Sequence, residues 1–298
     1  MPTRLLPTSQ PIDLPRTLGP VQRGPGDPTF RRAGAELWRA TRTPDGPATM
    51  RLLSRSSEIE VESWGPGADW ILEHAPAIVG ADDDWSGFEP SLPLLRNLRR
   101  RFPGMRLSRT GAVMEALMPA VLEQKVTGTE AWRAWRGIVR AYSEPAPGDV
   151  GLLLPPAAAV LAALPYYALH PLGVERRRAE TLRRACAQAV ELERIVDLDH
   201  EAARARLMTI PGIGPWTAAE VAVRALGDPD AVSVGDFHLP NLVSFALAGE
   251  PRGDDARMLE LLEPYRGHRA RVIRLLEVSG LQAPRYGPRY APRSIAGM

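Results

Sequence analysis

The sequence predicts an α+β fold in which an N-terminal antiparallel β-rich domain precedes an all-helical body. Two features carry that reading. Over the first 88 residues, short runs of β-formers are separated by turn residues, whereas from Leu92 onward apolar residues recur at helical spacing between Pro and Gly punctuation. In the front part, Ala35 to Thr43 and Ala48 to Ser54 flank the turn Pro44-Asp45-Gly46. Glu58 to Trp64 alternates polar and apolar residues, so the three runs form a meander, with Ala68 to His74 adding a helix. The segment Gly80 to Pro90, with Asp82, Asp83 and Asp84 in series, reads as an exposed linker whose carboxylates are solvated.

The helical body divides into segments near 92–102, 111–123, 128–143, 155–164, 174–193, 199–208, 215–226, 237–248, 254–264 and 268–279. Residues 144–156 are a Pro-rich loop. The expected organisation is therefore a β-rich domain over 1–90, a helical domain over 91–280 and a Pro/Arg/Tyr-rich tail over 281–298. No internal repeat is apparent.

A chain of 298 residues with 44% hydrophobic content buries a substantial core. No apolar run is long enough to span a bilayer, and prolines at 2 and 7 interrupt any signal-peptide core, so a cytoplasmic location with no membrane partner is expected. The single cysteine, Cys186, excludes an internal disulfide, a four-cysteine zinc site and a cysteine-held iron–sulfur cluster. The net charge is only +2. Its distribution matters more: ten basic side chains between Arg96 and Arg140 face only Glu115, Glu123 and Glu130, which reads either as a phosphate-binding face or as an ordinary solvated surface. Lys125 is the one lysine in the chain.

The stretch Leu207-Met208-Thr209-Ile210-Pro211-Gly212-Ile213-Gly214-Pro215-Trp216-Thr217 carries the most information. A helix ends, two glycines make a tight turn, and a second helix opens with Pro215 at its first position: a helix-hairpin-helix. Gly212 and Gly214 can present bare backbone N–H groups at the positive end of a helix, suited to a DNA phosphate, with Thr217 just inside the helix; a plain connecting turn is the alternative. Downstream, Asp236 stands where a short extended stretch meets a new helix. On its own it reads as an N-cap.

The order of hairpin, helix, extended segment and aspartate resembles the helix-hairpin-helix DNA glycosylases, and within them the DNA-3-methyladenine glycosylase II, or alkylbase, family. Further landmarks appear in the matching order: Arg101-Phe102-Pro103-Gly104-Met105-Arg106-Leu107, then Leu122-Glu123-Gln124-Lys125-Val126-Thr127, then Pro264-Tyr265-Arg266. The resemblance covers about 92–280 well and the β-rich front less closely. It implies that the helical body is a helix-hairpin-helix glycosylase body acting as a monomer on double-stranded DNA that contains a damaged base.

On that resemblance, Asp236 is the catalytic carboxylate, stabilising an oxocarbenium-like deoxyribose and positioning water. Bifunctional relatives carry a Schiff-base lysine where this chain has Trp216, so hydrolysis without lyase chemistry is expected, and Trp216 becomes either a wall of the base pocket or a core residue. Gln124 and Lys125 occupy the loop that enters the duplex; the family's wedge is apolar, so Lys125 departs from it. Glu220 and Leu276 stand at pocket positions where the bacterial enzyme has aromatics. Glu220 either reads a base edge or faces solvent. No cofactor is required, although the resemblance implies a structural Na+ or K+ held by the main-chain carbonyls of Met208, Ile210 and Ile213. Two other readings are a non-catalytic protein binding distorted DNA through the same hairpin, and an excision enzyme for oxidised pyrimidines, which Trp216 and the missing cysteines disfavour.

Overall fold

The computed structural model describes residues 2–8, 10–55 and 57–284. Five antiparallel strands form one sheet: β1 (Thr3–Pro7), β2 (Phe30–Ala33), β3 (Glu36–Thr43), β4 (Gly46–Ser54) and β5 (Glu58–Trp64), in the order β1-β5-β4-β3-β2. The expected meander is its centre, with Thr43 opposite Gly46 across the turn and Thr49 opposite Trp64. Alternation selects one face. Met50, Leu52, Ile59 and Val61 point to it and are buried against Ile71, Ala75 and Ile78. Those three lie on α2 (Ala68–Val79), which runs one turn longer than the sequence pattern suggests. The short α1 (Leu14–Leu18) adds Leu14 and Leu18 to the same core.

The remaining helices are α3 (Pro93–Arg101), α4 (Val113–Leu122), α5 (Gly128–Tyr142), α6 (Ala158–Ala163), α7 (Arg176–Ala187) and α8 (Ala189–Glu193). They continue with α9 (His200–Met208), α10 (Pro215–Val221), α11 (Leu239–Ala248), α12 (Asp255–Leu262) and α13 (Arg269–Ser279). The single segment expected over 174–193 is two helices that meet at Gln188. The expected tail lies outside the described residues beyond Pro284.

Two hydrophobic clusters organise these helices. The first surrounds α4, whose Val113, Leu117, Ala120 and Val121 are fully buried, as an almost wholly apolar helix must be. The second joins α3, α11, α12 and α13 with Phe88. α10 belongs to the first cluster and α11 to the second, so the segment between them, residues 227–238, crosses from one to the other.

The segment 80–90 is exposed at Asp82 and Asp84, as expected of a linker, but the Asp83 side chain turns inward. Asp83 is buried, pairs with Arg271 at 2.6 Å, and accepts the Leu107 N–H at 2.9 Å and the Trp85 indole N–H at 2.8 Å. Burying that carboxylate is tolerable only because a cation and two donors satisfy it. Among the described residues, no helix is long and apolar enough to cross a membrane.

Candidate active site

The hairpin forms as its residue types require. α9 ends at Met208, Ile210 and Ile213 tuck into the core, and the Ile213 N–H closes the turn on the Ile210 carbonyl at 3.0 Å. Gly212 has φ +100°, and a Cβ there would lie 2.2 Å from Thr181 Oγ1, so both backbone and space demand glycine. Pro215 opens α10 with its missing N–H at a position that needs no partner. The N–H groups of Gly212 and Gly214 donate to no acceptor among the described residues. Two backbone donors are thus left open on one surface turn.

Gln124 fastens the loop after α4 to this turn. Its side-chain amide donates to the Gly212 carbonyl at 3.0 Å and to Thr217 Oγ1 at 2.9 Å. Thr217 is therefore a buried internal partner, not the exposed DNA contact expected of it. Gln124 likewise braces the hairpin from within. Three residues on, Thr127 and Glu130 form a reciprocal capping box at the start of α5. Lys125, held between these two anchors, is exposed with φ +55° and has no side-chain hydrogen bond or ion pair among the described residues.

Asp236 comes to the same helix from the other side. The indole N–H of Trp216 donates to its Oδ2 at 2.9 Å, while Oδ1 accepts the backbone N–H groups of His238 and Leu239 at 2.7 and 2.9 Å. The aspartate does cap α11, yet it is also only partly buried and pairs with no cation among the described residues. Trp216 belongs to none of the hydrophobic clusters, which excludes the core-tryptophan reading. Phe237, next in sequence, exposes 74% of its surface beside the carboxylate.

Glu220 neither faces solvent nor offers a free base-reading edge. It is ion-paired with Arg224 and accepts the Ser233 hydroxyl at 2.6 Å, with Arg23 nearby. Burial pushes its carboxyl up, but Arg224, Ser233 and Arg23 outweigh this and hold it below the usual range. Because the Asp236 N–H donates to the Ser233 carbonyl at 3.2 Å, Glu220 acts on the aspartate through the loop. Trp216 and Glu220, one turn apart on α10, therefore grip the same segment twice. Leu276 is fully buried in the second helical cluster and lines no open surface, so the substitution of an aromatic there fills core space.

Two supports carry no sequence signature of their own. Ser233 was missed because its role depends on Glu220, thirteen residues away. Asp255, at the start of α12, accepts the Gly235 N–H at 3.0 Å and steadies the loop just before Asp236. Among the described residues, no group of three His, Cys, Asp or Glu side chains is placed to hold a metal ion.

No family model matches the chain. The probable bifunctional transcriptional activator/DNA repair enzyme AlkA of Mycobacterium tuberculosis is 33% identical over 149 residues, which are 49% of this chain and 30% of that protein. The DNA-3-methyladenine glycosylase 2 of Escherichia coli is 29% identical over 168 residues, 56% of this chain and 58% of that one. Over these stretches the chain is similar to DNA-3-methyladenine glycosylases. The matched stretch spans less than two thirds of the length of either relative. A solved structure, the 3-methyladenine DNA glycosylase of Archaeoglobus fulgidus, superposes with a TM-score of 0.79 at 20% identity, covering 92% of this chain and 97% of that one. The fold shared with that structure thus takes in the N-terminal sheet as well as the helices.

Proposed function

We propose that this protein is a monofunctional DNA glycosylase that extrudes a damaged, alkylated purine from duplex DNA and hydrolyses its N-glycosidic bond. The observation that carries the proposal is the bond between Trp216 and Asp236, which sets a carboxylate with no cation partner among the described residues beside a partly exposed indole on the helix that opens at the hairpin.

As the bond to the base breaks, positive charge develops on the deoxyribose. Asp236 supplies the opposite charge. Its oxygens have lone pairs beyond those used by Trp216 and the α11 N–H groups, so one can face the sugar while another orients the attacking water. A base made cationic by alkylation departs with little acid assistance, so a single carboxylate suffices. The Trp216 ring stacks on the extruded, electron-poor base. The open N–H groups of Gly212 and Gly214 hold a backbone phosphate, and Lys125 meets the duplex where the base has left.

We further place the protein in the cytoplasm as a monomer, with a β-rich domain over 1–90 and a glycosylase body over 91–280. A Na+ or K+ ion fits at the hairpin, because the carbonyls of Met208 and Ile213 accept no hydrogen bond among the described residues and Ile210 accepts only one. Such an ion would stiffen the turn that offers the glycine N–H groups.

The rival reading is a non-catalytic protein that binds distorted DNA, which the capping role of Asp236 favours. A panel of duplexes, each with one modified base and assayed for abasic sites with and without alkali, separates the two. Alkali-dependent cleavage at an alkylated purine is expected. Absence of base release from every duplex supports the rival, and strand cleavage without alkali overturns the hydrolytic assignment.

A further inference from the structure

A second concave site lies away from the hairpin. Its cavity of about 840 Å³ is lined by Arg96, Arg99 and Arg100 of α3, by Arg106, and by Gln10 and Glu89. That volume is within the range of small-molecule sites. α10 and the π turn that follows it, Ala222–Leu226, run about 18 Å from the hairpin to Gly227 at a rise of ~1.5 Å per residue. Gly227 packs against Ser108 and Arg109, so the loop carrying Arg106 sits at the far end of that helix. The cavity is thus separate from the hairpin surface.

Among the described residues, none of its four guanidinium groups forms an ion pair with a carboxylate. Arg96 and Arg99 donate to the carbonyls of Ser91 and Phe88, and Arg100 to Asn97 Oδ1 at 2.6 Å. Arg106 donates to the carbonyls of Pro103 and Met105 at 2.8 and 2.9 Å and to Gln10 Oε1 at 3.0 Å. All these acceptors are neutral. By contrast, Arg39, Arg51, Arg224, Arg257, Arg269 and Arg271 each have a carboxylate. A guanidinium has five donors, so the three on α3 keep most of theirs after a single bond each. Positions 96, 99 and 100 share one helix face, about 5–6 Å apart at the Cβ atoms. Arg96, Arg99 and Arg100 gather in one recess with Arg106, whose charge nearby Asp83 partly meets; among the described residues Glu89 is the one carboxylate in the lining, so the site keeps an excess of positive charge until an anion enters.

The two aromatic rings at the site do not invite a base. Arg106 and Arg271 lie over Trp85, and Arg16 and Arg101 over Phe102. The rings stack on the protein's own cations. Recognition therefore falls to the spaced forks, which suit phosphate oxygens.

We propose that this recess binds a small anion bearing two or more linked phosphates, gripped through its phosphate chain by Arg96, Arg99, Arg100 and Arg106. A free polyphosphate or nucleotide satisfies that chemistry without any contact to its base.

The test is calorimetric titration of the full chain with inorganic tripolyphosphate, ATP, adenosine and a glutamate peptide, at low and at physiological salt. Tripolyphosphate and ATP should bind one per chain within a few-fold of each other, adenosine not at all, and the peptide more weakly. Arg96→Ala/Arg100→Ala should weaken tripolyphosphate by about tenfold or more, from the loss of two charge-assisted contacts. The double variant should keep its melting temperature and its base release from duplex DNA, since both side chains are exposed and bond only locally. A single Arg100→Glu change gives an independent reading, because it reverses charge without emptying space. Unchanged tripolyphosphate affinity in both variants overturns the proposal. So does tighter binding of the peptide, and so does a loss of duplex affinity in the variants, which would make the recess a DNA contact.

Discussion

The indole N–H of Trp216 meets Oδ2 of Asp236 at 2.9 Å, tying the first turn of one helix to the cap of another across the junction of two hydrophobic clusters. This bond turns a helix cap into an oriented carboxylate. Trp216→Phe keeps an aromatic ring and removes only the donor. A charge-assisted hydrogen bond of roughly 1.5–3 kcal/mol corresponds to about 10- to 100-fold in rate if it acts at the transition state. Single-turnover base release should fall by that factor with little change in melting temperature. Wild-type rates in this variant would remove any positioning role for the indole.

Asp236→Asn is a sharper probe, because it separates capping from charge. Asparagine caps helices about as well as aspartate, so its Oδ1 can keep the His238 and Leu239 N–H groups, while its amide N–H₂ then faces the Trp216 donor. The expected cost is about 1 kcal/mol in urea unfolding, with base release abolished and duplex affinity within a few-fold of wild type. Release at the wild-type rate would leave Asp236 as a cap and nothing more.

What was legible in the sequence was local. Gly212, Pro215 and Asp236 act within a turn or at a helix start, where residue type and backbone geometry determine each other, and their placement follows from spacing alone. Residues whose roles depend on distant partners were misread. Asp83 looks solvated until Arg271, 188 residues later, arrives to bury it. Glu220 carries no sign of its bond to Ser233, and Leu276 none of its complete burial. The edge strand β1 has one buried residue in five, too few for alternation to be seen.

Lys125 illustrates a residue held in an unfavourable conformation with no side-chain partner among the described residues. A left-handed backbone costs a non-glycine residue about 1 kcal/mol, which Lys125→Gly removes. The variant should therefore be as stable as wild type or more so in urea. If the ammonium meets a phosphate, duplex affinity should weaken and the slope of log affinity against log salt should drop by about 1. Equal slopes, measured by anisotropy across a salt series, would show that Lys125 makes no ionic contact with the duplex.

Glu193 links the central helix to pH. Its two carboxylate oxygens accept the Val113 and Met114 N–H groups at 2.9 Å each, capping α4 from a distance of eighty residues. Burial pushes its carboxyl up to about 7, helped by the nearby charge of Glu115 and opposed by the two N–H groups. A carboxyl with a raised value in the fold binds its proton more tightly there than in the unfolded chain. Its contribution to stability is therefore greatest below the ordinary value of 4.5, declines as pH rises toward about 7 and is level above. The decline should follow a one-proton slope of at most about 1.4 kcal/mol per pH unit. Glu193→Gln cannot titrate, so subtracting its unfolding free energies from those of wild type between pH 5 and 8 should expose that slope. A flat difference across the range would mean that the helix N-terminus keeps Glu193 ionised despite its burial.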